Sequence, residues 1–365
     1  MNKFSKRYTL TPFYPPGRTR RVYICGMKEN VGTDLVKAAH YLKAGELVAI
    51  PTETVYGLAA NALNEAAVTR IFEVKNRPQF NPLILHIAGV ERLAELGLAF
   101  PEIALALVEK FSPGPITYVI PTSNKIPGIV TSGTPAVAIR IPNHPLTLEL
   151  LQMLDFPLAA PSANPSGRVS PTNAVHVSDQ LGNKVSYILD GGDCTVGLES
   201  TIISLLEPKP RILRQGGITA EAIEAVIGAV NLPEGGFSDN PVAPGMLARH
   251  YATNHPLVLG DAASLIARAH QQDPIPRIAT ISFNRNFSAI PSAYQFQLSP
   301  SSDLAEAARR LFAAMRLADK MDIDLIIADQ FPDHGLGRAI NDRLNRASTD
   351  QQQFLPESLN EKPVT

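Results

Sequence analysis

Lys75 and Arg77 stand two residues apart, directly before Pro78 and close to Asn81-Pro82-Leu83. Two cations at the point where a helix gives way to a loop can converge on one anion, Arg through a bidentate fork and Lys as a point charge. Phosphate oxygens suit both. The same pair also suits a plain solvated helix C-terminus, where cations complement the dipole. A second candidate is Ala160-Pro161-Ser162-Ala163-Asn164-Pro165-Ser166-Gly167, which follows the apolar run 156–159. Small hydroxyl and amide side chains at the exit of a strand can bond phosphate or ribose, and open α/β sheets bind ligands at such exits. An ordinary Pro/Ser/Asn turn has the same composition. Ser170 before Pro171 reads as a helix N-cap with proline at the first helical position, a place that also attracts anions.

Other polar residues lie where strands end. Thr52, Glu53, Thr54 and Tyr56 follow an apolar run, and His86 stands in another. Arg140 interrupts the apolar stretch 136–141, so it needs a partner: Glu53, Glu199 or a substrate carboxylate. Glu199-Ser200-Thr201 and Arg214 sit at further strand edges. The standard phosphate-binding loops are missing, with no Gly-rich loop running into Lys-Ser/Thr and no GxGxxG after a strand. No HExxH and no cysteine cluster points to a protein-made zinc site, and no GxSxG supports a serine nucleophile. The residues by themselves reach an anion-binding α/β protein with convergent cations.

The elements that must position them follow from hydrophobic periodicity. Strand-like runs fall at 47–50, 83–87, 117–120, 136–141, 187–189, 201–205 and 212–213, with helical spacing at 34–44, 64–75, 101–111, 146–154, 172–181 and 219–230. This alternation gives an α/β domain over 33–230 with a mixed, twisted sheet, since some connections are short. Residues 231–256 are rich in proline and glycine and read as an interdomain linker. Runs at 257–259, 278–283, 294–298 and 323–328, with an amphipathic helix over 304–321, predict a smaller Rossmann-like parallel α/β domain over 257–346. The polar tail 347–365 reads as disordered, and residues 1–32 as a basic, flexible extension.

Bulk composition narrows the classes. The 365 residues are 45% hydrophobic and 18% charged, ordinary for two globular domains, and the formal net charge of −1 leaves any electropositive site to be built locally. Cys25 and Cys194 are too few for a disulfide framework, which favours a reducing, cytoplasmic setting. No apolar run is long enough to predict a transmembrane helix. Residues 1–28 carry seven Lys or Arg and no acid, but Pro12, Pro15, Pro16 and Gly17 break the amphipathic helix that a targeting peptide would need.

Taken in order, several segments resemble the threonylcarbamoyl-AMP synthase family, the YrdC-type enzymes of tRNA modification in their two-domain long form. They are Pro51-Thr52-Glu53-Thr54-Val55-Tyr56-Gly57-Leu58, Lys75-Asn76-Arg77 with Asn81-Pro82-Leu83, and Ser112-Pro113-Gly114-Pro115. Val137-Ala138-Ile139-Arg140-Ile141-Pro142 and Ala160-Pro161-Ser162-Ala163-Asn164 continue the series. Ala243-Pro244-Gly245-Met246 and Arg249-His250-Tyr251-Ala252 resemble the family's interdomain motif. The resemblance implies a YrdC-like catalytic fold and a nucleotidyltransferase that makes threonylcarbamoyl-AMP and pyrophosphate from threonine, bicarbonate or CO2 and ATP. Mg²⁺ would arrive with ATP rather than on protein ligands. It implies that Lys75, Arg77, Ser162 and Asn164 are catalytic. Arg77, Asn81, Ser162, Ser170 and Arg214 would contact ATP, Lys75 and Asn164 would support it, and Tyr251 would cover it as a lid. Thr54, His86, Arg140 and Ser200 would hold threonine. A downstream tRNA threonylcarbamoyl transferase complex is the implied partner, with no membrane. The rival reading is a double-stranded-RNA-binding module of the same fold without this catalysis, which the basic N-terminal residues would suit.

Overall fold

The computed structural model describes residues 30–233 and 250–354. Most of the N-terminal extension, the central part of the linker with Ala243-Pro244-Gly245-Met246 and Arg249, and the end of the tail therefore lie outside the described residues. The first domain holds ten strands: β1 (Val31–Gly32), β2 (Val48–Ile50), β3 (Gly57–Asn61), β4 (Ile84–His86), β5 (Ile116–Pro121), β6 (Ala136–Arg140), β7 (Leu158–Ala159), β8 (Tyr187–Leu189), β9 (Thr201–Ser204) and β10 (Arg211–Arg214). They form one sheet in the order β1-β8-β2-β3-β7-β4-β6-β5-β9-β10. Pairings are mixed, for example parallel between β4 and β6 and antiparallel between β5 and β6, as the short connections require.

Side chains alternate across this sheet with the period of two that a strand imposes. Leu85 on β4 and Val137 and Ile139 on β6 join the large core under the helices Glu65–Lys75, Glu102–Phe111, Ala174–Gln180 and Ala220–Ile227. Their neighbours must face the other way, and Ile84, Ala136 and Ala138 do so, in a small apolar cluster with Val119 and Ile202. His86 and Arg140 share that parity and are direct partners in the β4–β6 register. Two polar side chains are thus delivered side by side onto the face away from the main core. At the other end of the sheet, Val48 and Ile50 pack with the helices Leu35–Lys43 and Pro145–Gln152 in a separate core.

The second domain has four strands, β11 (Leu257–Gly260), β12 (Ile278–Ser282), β13 (Gln295–Gln297) and β14 (Leu325–Asp329), all parallel in the order β11-β14-β12-β13. Helix Ala262–Ala269 packs on one face. Leu304–Asp319 and Leu336–Ala347 pack on the other, as a small parallel α/β layer demands. The second of these, absent from the sequence expectation, opens on Gly335 with no side-chain cap.

Two local expectations are corrected. The tail does not leave the fold at residue 347. Thr349 N donates to Leu257 O at 2.8 Å, Gln351 bonds Leu259 O, and Phe354 packs against the Val258 core. Nor is Ser170 a helix cap. The helix there starts at Ala174 and is capped by Asn173, whose side chain accepts from His176 N at 2.9 Å. Ser170 is left for another use.

Candidate active site

One cavity gathers the strand-end residues. Thr52 and Thr54 enter it from the β2–β3 turn, Arg77 from the end of helix Glu65–Lys75, and His86 and Arg140 from the sheet face. Ser162, Glu199, Ser200 and Arg214 line it from the loops and strand ends beyond, and His250 and Tyr251 close it from the start of the second domain.

The local sequence explains each placement. Asn76 adopts the left-handed conformation (φ 49°) at the C-cap, a position Asn tolerates, so the chain reverses and sends Arg77 inward while Lys75 stays on the buried helix face. Arg77 Nε and Nη2 donate to Asn81 O at 3.1 Å and Pro82 O at 2.8 Å, which locks the guanidinium against its own loop. The loop after β7 runs beside the start of β3: Leu58 N donates to Pro161 O and Ala163 N to Tyr56 O, both at 2.7 Å. Strand β10 carries an irregular register between Ile212 and Arg214. Ile212 faces the main core, so a regular strand would send Arg214 there too; the shift re-aims it at the cavity. Arg214 then donates to Ser200 O at 2.8 Å and to Ser200 Oγ at 3.1 Å, and Ser200 Oγ lies 2.7 Å from Thr117 Oγ1.

The electrostatics are unbalanced. Arg77, Arg140 and Arg214 are all buried around one space. Burial, then the charge of Arg214, lowers the Arg77 pKa, and burial outweighs its acidic neighbours at Arg214; both remain charged at neutral pH. Among the described residues no carboxylate lies within ion-pair distance of Arg77 or Lys75. The two acids present are already engaged. Glu53 Oε1 sits 2.7 Å from Arg140 Nη2, though not aligned as a hydrogen bond, and Oε2 accepts from Asn143 N at 3.0 Å. Glu199 Oε1 accepts from Ser170 Oγ at 2.6 Å and Oε2 from Arg343 Nε at 3.1 Å. Burial alone would raise the Glu199 pKa, but Arg343, Arg214 and Ser170 overcome it and hold it down to about 2. His86 is pushed down to about 3 by burial and then by Arg140, so its ring is neutral at pH 7. Its Nδ1 lies 3.2 Å from Ile84 O. A carbonyl can only accept, so Nδ1 carries the proton and Nε2 is left as an acceptor.

The structure therefore brings Thr54, Arg77, His86, Arg140, Ser162, Ser200, Arg214 and Tyr251 together. It places Lys75, Asn81, Asn164 and Ser170 behind the cavity wall instead. The Lys75 ammonium donates to the carbonyls of Ser162 and Asn164. Asn164 Nδ2 donates to Pro165 O at 3.0 Å and Arg168 O at 2.7 Å. The Asn81 side chain is buried with no partner among the described residues. Lys75 and Asn164 thus shape the loop that presents Ser162. Tyr251 is fully buried at φ 67°, stacked on Phe312 with ring centres 5.3 Å apart.

Sequence reasoning missed His250 and Arg343. His250 stood in the interdomain motif Arg249-His250-Tyr251-Ala252 but was given no role of its own, that being assigned to Tyr251. Arg343 did leave a signal: Leu336, Ile340, Leu344 and Ala347 form a helical stripe, and a cation at 343 falls inside it.

Comparison with known proteins supplies the context for this geometry. Residues 40–216 match the family model described as "Telomere recombination", and residues 218–349 match "Threonylcarbamoyl-AMP synthase, C-terminal domain". The threonylcarbamoyl-AMP synthase of Pyrococcus abyssi is 42% identical over 319 residues, covering 85% of this chain and 93% of its own length. That of Bacillus subtilis is 40% identical, covering 86% and 92%. The crystal structure of P. abyssi Sua5 complexed with L-threonine superposes with a TM-score of 0.80 at 41% identity, over 86% of this chain and 94% of that one. With matches running through both domains, the chain belongs to the threonylcarbamoyl-AMP synthase family, in the form that carries the C-terminal domain.

Proposed function

We infer that the chain catalyses threonylcarbamoyl-AMP synthesis from threonine, CO2 or bicarbonate, and ATP. The observation that carries this reading is the convergence of Arg77, Arg140 and Arg214 on one cavity whose lining carboxylate, Glu199, is already held by Ser170 and Arg343, with Glu53 beside Arg140. Arg77, buried and without an ion-pair partner among the described residues, calls for an anionic ligand.

The residues divide the work. Arg77 and Arg214, with the Ser162 loop braced by Lys75, neutralise the phosphates, while Asn81 and Ser170 stand behind them. Arg140 takes the threonine carboxylate, Thr54 and Ser200 offer hydroxyls, and the acceptor nitrogen of His86 accepts a hydrogen bond from the threonine amine or hydroxyl. The neutral amine forms an N–C bond with CO2 as one C=O π bond opens, and the proton it loses passes to solvent. A carbamate oxygen then bonds the α-phosphorus as the bond to the β-phosphate oxygen breaks, and pyrophosphate leaves. No side chain forms a covalent intermediate, so the enzyme contributes position and charge. Because Glu53 and Glu199 are occupied by donors, Mg²⁺ enters as part of the MgATP substrate. Tyr251 and His250 keep water from the labile mixed anhydride.

The product's acyl group is destined for tRNA, through a transferase in the cytoplasm. Among the described residues no helix is long and apolar enough to cross a membrane. The basic residues that favour the RNA-binding rival lie outside the described residues. The test is pyrophosphate release from MgATP, which should require both threonine and bicarbonate. Release that persists when either is omitted rules the reading out.

A further inference from the structure

We propose that Arg343, carried in from the C-terminal domain, is a positioning residue for the nucleotide half of the site: it holds Glu199 so that Arg214 and Arg77 keep their charge for the triphosphate. The inference rests on the reading that ATP binds this cavity.

Arg343 has no exposed surface, although it belongs to a helix, Leu336–Ala347, of the other domain. Its guanidinium reaches the catalytic domain twice, with Nε donating to Glu199 Oε2 at 3.1 Å and Nη1 to Gln215 O at 2.6 Å. Its Cζ lies 5.8 Å from the centre of the Tyr251 ring. Glu199 lines the cavity and gives its other oxygen to Ser170. A second arginine of the same domain grips the same wall. Arg316, in helix Leu304–Asp319, donates to the carbonyls of Val169 and Ser170 and, at 2.9 Å, to Gln180 Oε1.

The charge balance gives this arrangement its meaning. A triphosphate entering the cavity meets Arg77 and Arg214, and Glu199, on the same wall, is the acid that Arg214 feels. With Arg343 present, the carboxylate is paired from behind. Without it, Glu199 remains as a buried charge whose nearest cationic relief is Arg214, and a guanidinium drawn to Glu199 is lost to the phosphates. The C-terminal domain thus supplies a counter-charge to the active-site wall, in addition to closing it.

The test is binding of a non-cleavable α,β-methylene ATP with Mg²⁺, and separately of threonine, to the full chain by titration calorimetry. Arg343→Met should weaken the analogue by roughly tenfold or more and threonine by no more than about threefold. Adding Glu199→Gln to that variant should bring the analogue back to within about threefold of the native chain, because the uncompensated charge is gone. A merely structural role for Arg343 would not be rescued by a second substitution in its partner. If Arg343→Met does not fold, Arg343→Lys keeps a cation opposite Glu199 while giving up the bond to Gln215 O, and should lose less than about tenfold. A double variant as weak as the single one, or a tenfold loss in Arg343→Lys, overturns the inference alone. A native chain that binds no analogue sinks the nucleotide reading and this inference with it.

Discussion

Arg140→Ala tests the division of the cavity most directly. In the unliganded protein Arg140 is 4% exposed, and its nearest charge is Glu53 at 2.7 Å. Because that contact is not aligned as a hydrogen bond, Arg140 Nη2 keeps its donors for a second carboxylate. A charge pair about 4 Å apart, in surroundings of effective dielectric about 20, is worth about 4 kcal/mol. Desolvation offsets part of this, leaving about 2–3 kcal/mol, or roughly thirty- to 150-fold in threonine affinity. The ATP requirement should change by less than about threefold. The substitution also strands Glu53, whose remaining partner is Asn143 N, so the melting temperature should fall. Glu53→Gln added to Arg140→Ala separates the two effects. It removes the stranded charge and should recover stability, while threonine binding stays weak. Threonine titration, thermal melting and the KM for each substrate read these outcomes. Equal losses for threonine and ATP, or recovery of threonine binding in the double variant, would show that Arg140 does not hold the threonine carboxylate.

Three further perturbations have distinct signatures. Arg77→Met should raise the KM for ATP at least tenfold with threonine nearly unaffected; it strands the carbonyls of Asn81 and Pro82, so the melting temperature should fall, less than for Lys75→Met because the repulsion from Arg214 is relieved. Lys75→Met strands the carbonyls of Ser162 and Asn164 and should cost about 2 kcal/mol or more of stability in denaturant titration, with kcat falling as the loop loses its brace. Acid should destabilise the protein through its buried histidines. His86 and His250 have folded pKa values lowered from 6.5 to about 3, chiefly by burial, so the unfolded chain binds more protons between those values. Their contribution is full above pH 6.5 and is lost as pH falls toward 3. Denaturant titrations at pH 7 and pH 4.5 should show this loss, and His250→Gln should make it smaller.

How much of this was legible in the sequence depended on whether a residue's partner was near in the chain. Arg140 stood out as a cation in an apolar strand, and Glu53 was among the partners it invited. Arg77 was marked by the helix end, although nothing there distinguished its inward turn from the loop-bracing role of Lys75; the left-handed Asn76 decides that. Ser170 looked like a cap because Pro171 follows it, yet its hydroxyl is taken by Glu199, 29 residues away. Strand β3 escaped notice because Gly-Leu-Ala-Ala-Asn lacks the β-branched residues that mark a strand, and its pairing with β2 and β7 overrides that weak preference. Arg343 lay furthest from reach: its partner is 144 positions away in another domain, and only the break in a helical stripe betrayed it.

The hydrophobic cluster of the second domain is not made of that domain alone. Val55, Val169 and Leu198, all from the catalytic domain, pack into it with Tyr251, Leu311 and Phe312. Cutting the chain after the first domain would therefore not release a passenger; it would unroof three apolar side chains beside the mouth of the cavity and invite self-association.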